Sequence, residues 1–197
     1  MSIEPLAARL ERALVRFRVQ AAHNLLDEAF AAAPADVVAR ELVLPLYERL
    51  EATGDPGVTR FAASVFEIRL LVQARGWERI DGPSVTLACA PREQRTLALI
   101  ALGLGLAARR CRIAYLGAST PTAALRGALI VVHADAEDLE PAEREDLRAL
   151  GVVLAGSAAA PLGDALGLVA LPADVTAATE TAAALAHRRS PQAGDAA

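Results

Sequence analysis

The chain has 197 residues, 54% of them hydrophobic and 22% charged, with a formal net charge of −4, which is a globular composition sized for one large or two small domains. No apolar stretch reaches the roughly 18 residues that a bilayer span requires. Met1-Ser2-Ile3-Glu4-Pro5 shows neither a basic nor an apolar signal region, so a cytoplasmic protein without membrane contact is expected. Mild acidity argues against nucleic acid as a direct partner. The arginine-rich spots Arg9-Arg12-Arg16-Arg18, Arg109-Arg110-Arg112 and Arg188-Arg189 read as solvated helix faces and ends, and no helix-turn-helix, RNP or zinc-finger pattern accompanies them. Cys89 and Cys111 lack metal-ligand spacing and are expected as free thiols.

From Pro5 to Gly76 the chain is rich in Ala, Leu, Arg and Glu with helical periodicity, predicting helices near 4–16, 18–33, 35–52 and 58–76. Leu6, Leu10, Leu14 and Phe17 form one apolar stripe and Leu25, Leu26, Ala29 and Phe30 another, so these helices have faces to bury as a four-helix bundle. Pro45 falls inside the third pattern and predicts a kink. After Trp77, expected to pack between domains, short apolar runs alternate with helical stretches. The runs are Val85–Cys89, Arg112–Leu116, Ala128–Val132, Val152–Ala155 and Leu168–Leu171. The helices fall at about 92–109, 121–127, 141–150 and 173–187, the second only a turn or two long.

This alternation predicts an α/β protein whose N-terminal four-helix bundle (1–80) precedes a Rossmann-like, flavodoxin-like domain (81–189) with a five-stranded parallel sheet. A disordered tail (190–197) is expected to follow. Ligands of doubly wound sheets sit beyond the carboxyl ends of the strands where strand order reverses. The candidate loops are therefore Ala90–Arg95, Gly117–Thr120, His133–Asp135 and Gly156–Ala159. His133 is the one histidine at that mouth and is expected as a hydrogen-bonded loop or core residue; His23 and His187 read as ordinary helix residues.

From about Leu10 to Ala186 the order of parts, with "LLDEAF" at Leu25–Phe30, "VTLACAPREQ" at Val85–Gln94, "RIAYLGASTP" at Arg112–Pro121 and "GVVLAGSAA" at Gly151–Ala159, resembles the cobalamin-binding light-sensing domain of the CarH/LitR-type photoreceptors. The chain resembles a stand-alone member without a DNA-binding domain. The resemblance implies cobalamin in a cleft between bundle and sheet. In that family an acidic-x-His-x-x-Gly motif follows the first strand, and its histidine holds cobalt. Here the matching stretch is Glu93, Gln94, Arg95, Thr96, Leu97 and Ala98. Arginine has five donors and no lone pair, so Arg95 cannot ligate the metal. The family's upper-face tryptophan and Glu-His pair fall on Leu50 and on Thr59 and Arg60.

Two histidine positions implied by the resemblance are thus arginine. Corrin rims carry amides, whereas bilins and porphyrins carry propionates, which arginine pairs in a charge-assisted, bidentate way. The expected function is therefore a regulatory sensor that binds a tetrapyrrole, biliverdin ahead of adenosylcobalamin, with Arg95, Glu93, Gln94, Arg60, Thr59, Leu50, Cys89, Gly117, His133 and Gly156 at the site and no bound metal ligand set. Cys89 is a conceivable thioether attachment point, although a buried inert thiol is the plainer reading. Output would pass through a homo-oligomer or a DNA-binding regulator. The alternative is a ligand-free, antirepressor-like interaction module. Histidine-free cobalamin binding is the third reading, and catalysis is not expected, since no GxSxG, P-loop or GxGxxG motif is present.

Overall fold

The computed structural model describes residues 3–189; the tail expected at 190–197 lies outside them. The chain divides after Arg75 into two compact units.

The first unit consists of four helical rods. They are α1 (Ile3–Val15), α2 (Val19–Ala32), a composite rod of α3 (Ala35–Val38), a π-helical turn (Ala39–Val43) and α4 (Leu44–Ala52), and α5 (Pro56–Gln73). Leu10, Leu14, Leu26, Leu46, Leu50, Phe66 and Leu70 are fully buried and are among the largest side chains of its core. The irregularity expected at Pro45 is a widened turn: the Leu44 N–H reaches back five residues to the Ala39 carbonyl. Proline has no N–H to donate and its ring crowds the carbonyl four residues back, and a π-turn just before it relieves that crowding. Asp55 starts α5, its carboxylate accepting from Gly57 N (2.9 Å) and Val58 N (3.1 Å), which satisfies two of the helix's orphan donors.

The second unit is a five-stranded, fully parallel sheet in the order β2-β1-β3-β4-β5, formed by β1 (Ser84–Cys89), β2 (Arg112–Gly117), β3 (Leu129–His133), β4 (Val153–Ala155) and β5 (Val169–Ala170). α6 (Leu97–Ala108) follows β1, α7 (Pro141–Leu150) follows β3, α8 (Ala159–Leu166) follows β4, and α9 (Val175–Arg189) closes the unit. This is the Rossmann-like architecture expected from the alternation. Ala88, Ile130, Val132 and Leu154 on one face of the sheet join Leu147 of α7 and Leu162 of α8 in a continuous buried cluster. α6 is buried around nearly its whole circumference, and its Leu-Gly-Leu-Gly-Leu run is explained by close approach. A Cβ on Gly103 would lie 2.5 Å from the Trp77 ring, and one on Gly105 2.8 Å from the Thr179 side chain.

Trp77 lies in a 3-10 turn and packs on Gly103, edge-on to Tyr115 of β2. Two expectations need correction. The helix expected at 121–127 is a single 3-10 turn, Thr122–Ala124. The helix expected from residue 92 starts at Leu97, because the residues before it form the loop described next.

Candidate site at the carboxyl edge of the sheet

Strand order reverses between β1 and β3, where Cys89 sits in register with His133. The four candidate loops meet here through the backbone. Ala90 N donates to His133 O (2.8 Å), Ala134 N to Ala155 O (2.9 Å), Thr120 N to Cys89 O (3.3 Å) and Ala158 N to Ala134 O (3.1 Å). Because neighbouring strands end at nearly the same level, short polar side chains on these loops reach one another.

Two carboxylates organise the edge. Glu93 accepts from Arg95 N on Oε1 (2.8 Å) and from Asp135 N on Oε2 (3.0 Å), while its own carbonyl accepts from Ser119 N (2.8 Å). One residue thereby ties together the loops after β1, β2 and β3. Gln94 adds a second link, its Nε2 donating to Ser119 Oγ at 2.5 Å. Asp135 accepts from Ser157 N (2.9 Å) and Ser157 Oγ (3.0 Å) on Oδ1, and its Oδ2 lies 3.2 Å from His133 Nε2. The His133 hydrogen bond above all, with the two from Ser157, holds the Asp135 carboxyl well below the ordinary carboxylate range against the opposing effect of partial burial.

Gly156 makes this packing possible. At φ +97° it occupies the left-handed region, and a Cβ there would stand 2.4 Å from the Ala134 carbonyl oxygen and 2.9 Å from His133 Cε1. Gly117, at φ +86°, ends β2. His133 is buried at 3% exposure, and Cys89, also buried, directs its thiol to the Arg95 carbonyl at 3.5 Å. The Arg95 side chain is 57% exposed, with Nη1 3.9 Å from Asp135 Oδ2.

Asp135, Ser157, Ser119 and Arg92 are working residues of these loops beyond those expected from the sequence. Arg92, at φ +69°, clamps the loop to α7. Its guanidinium donates to both Glu143 oxygens (3.0 and 2.7 Å) and to the Asp138 carbonyl (2.8 Å). This hydrogen bonding lowers the Glu143 pKa and raises that of Arg92. The available signal was His133-Ala134-Asp135: residues two apart at a strand end face the same way. In the helical unit, Leu50 is buried in the core, and its carbonyl faces Thr59 Oγ1 at 3.5 Å; Arg60 lies exposed on α5.

This architecture, four helical rods and a five-stranded parallel sheet whose switch-point loops are bound to one another, is that of a Rossmann-like cobalamin-binding fold with a helical N-terminal region. The chain superposes on the monomethylamine corrinoid protein of Methanosarcina barkeri with a TM-score of 0.70 at 15% identity, covering 93% of this chain and 100% of that one. A cobalamin-binding protein from Desulfitobacterium hafniense superposes at a TM-score of 0.43 and 12% identity, covering 91% of this chain and 98% of that one. In sequence, the chain is 28% identical over 116 residues to the HTH-type transcriptional repressor CarA of Myxococcus xanthus, a match spanning 57% of this chain and 39% of that repressor. No family model matches.

The donor chemistry of the edge does not fit cobalt held by the protein. Arg95 offers no lone pair, the His133 Nε2 is engaged by Asp135, and the Cys89 thiol is buried.

Proposed function

We propose that this chain is a regulatory ligand-binding module on the cobalamin-domain fold that has given up protein–cobalt coordination and takes a carboxylate-bearing tetrapyrrole, biliverdin in preference to adenosylcobalamin, at the carboxyl edge of its sheet. The observation that carries this reading is Arg95: a guanidinium 57% exposed, mounted on a loop anchored by Glu93, Gln94 and Arg92, at the switch point where such sheets take ligands. Arginine reads carboxylates through paired, charge-assisted hydrogen bonds. A loop tied down on three sides loses little freedom when it engages one. The 28% identity to a transcriptional repressor supports a regulatory setting, with output through oligomer state or a DNA-binding partner and without catalysis by this chain. The test is a titration of the purified protein with biliverdin in darkness. Arg95→Ala is expected to weaken binding about tenfold, the loss of one charge-assisted pair; unchanged affinity would remove the charge argument.

A second reading has its own support. Glu93 and Asp135 spend their hydrogen-bonding capacity on neighbouring loops, as they would in a protein-interaction module that keeps the fold and holds no ligand. In that case neither biliverdin nor adenosylcobalamin would be retained.

A further inference from the structure

We infer that the groove between α1 and α2 is a second binding site, independent of the sheet edge, for a small organic polyanion bearing two or more phosphate or carboxylate groups. The groove has a volume of about 400 Å³ and a lining that includes Arg9, Arg12, Arg16, Arg18 and Glu28. Arg9, Arg12 and Arg16 recur at i, i+3 and i+7 along α1 and just beyond its end, so they share one flank of the helix. Phe17, at φ +52°, turns the chain sharply enough to bring Arg18 onto the same groove. The groove is therefore lined by four arginines and one acidic residue. Glu28 engages Arg9 at 3.3 Å, while Arg12, Arg16 and Arg18 have no acidic partner among the described residues.

Such a local excess of positive charge stands out on a chain of net charge −4. Holding like charges around a concavity is unfavourable unless an anion offsets them. The volume is within the range of small-molecule sites and far larger than one inorganic anion needs. The lining also includes Ala13, Ala21 and Leu25, which suit a ligand with an apolar or aromatic body beside its anionic groups.

The experiment is calorimetric titration of the full chain at low ionic strength with ATP as the phosphate probe and citrate as the carboxylate probe. One-site binding of at least one of them is expected. Arg12→Ala with Arg16→Ala should weaken it about a hundredfold, tenfold for each charge-assisted pair. Arg112→Ala with Arg126→Ala, which removes the same charge elsewhere, should leave it unchanged. All four side chains are exposed, and Glu28→Gln, which frees Arg9, should tighten binding in a protein with no arginine removed. The inference is overturned if neither probe binds, if both double variants weaken binding equally, or if only poly-glutamate or duplex DNA binds and ATP and citrate do not.

Discussion

Asp135 joins His133 to the loop after β4, and two substitutions separate its charge from its hydrogen bonding. Asp135→Ala removes three hydrogen bonds and leaves the buried His133 Nε2 without its partner. At about 1 kcal/mol for each bond and a further 1–2 for the stranded nitrogen, a destabilisation of about 4–5 kcal/mol is expected. Asp135→Asn keeps an acceptor toward Ser157, and its amide donates to His133 once the imidazole changes tautomer; the cost falls to about 1 kcal/mol, the margin of charged over neutral hydrogen bonds. Urea unfolding followed by Trp77 fluorescence measures both, because the chain's single tryptophan is buried in the sheet unit. The sign with pH follows from the depressed carboxyl. Its contribution is fully present above the ordinary value of 3.8 and is lost as pH falls toward the lower folded-state value. The gap between the native protein and Asp135→Asn should therefore narrow on acidification. Equal costs for the Asn and Ala variants, or a gap indifferent to pH, would contradict these separate roles of the Asp135 charge and hydrogen bonds.

Gly156→Ala should destabilise the sheet unit by about 3 kcal/mol or more, combining left-handed backbone strain with overpacking against the Ala134 carbonyl; the same unfolding assay measures it. Asp55→Ala removes the cap of α5 and should cost about 1 kcal/mol, read by far-ultraviolet circular dichroism, with the Trp77 transition unmoved if the two units unfold separately.

The alternation of apolar runs and helical stretches made the parallel sheet legible, because strands buried on both faces read as continuous apolar segments bounded by turn residues. α8 is hidden in the sequence. Ala159–Leu166 carries both Pro161 and Gly163, which read as loop, yet Pro161 falls in the first helical turn, where its missing N–H costs nothing. Gly163 is required by closeness: a Cβ there would lie 3.0 Å from the Leu168 carbonyl oxygen. The late start of α6 was hidden because Arg92-Glu93-Gln94-Arg95 has good helical propensity. Long-range partners in α7 and the loops after β2 and β3 override it. The same cause concealed Asp135 and Ser157. The His133-Ala134-Asp135 spacing hints at the first contact of Asp135, but its bonds to Ser157 exist only once β3 and β4 lie side by side.

The most direct test of the central claim is to incubate the purified protein in darkness with biliverdin and, separately, with adenosylcobalamin, gel-filter each sample, and record the visible spectrum of the protein peak. A shifted bilin spectrum on the protein and no corrinoid absorbance are expected. Corrinoid absorbance without bilin, or a colourless peak from both incubations, would contradict that claim.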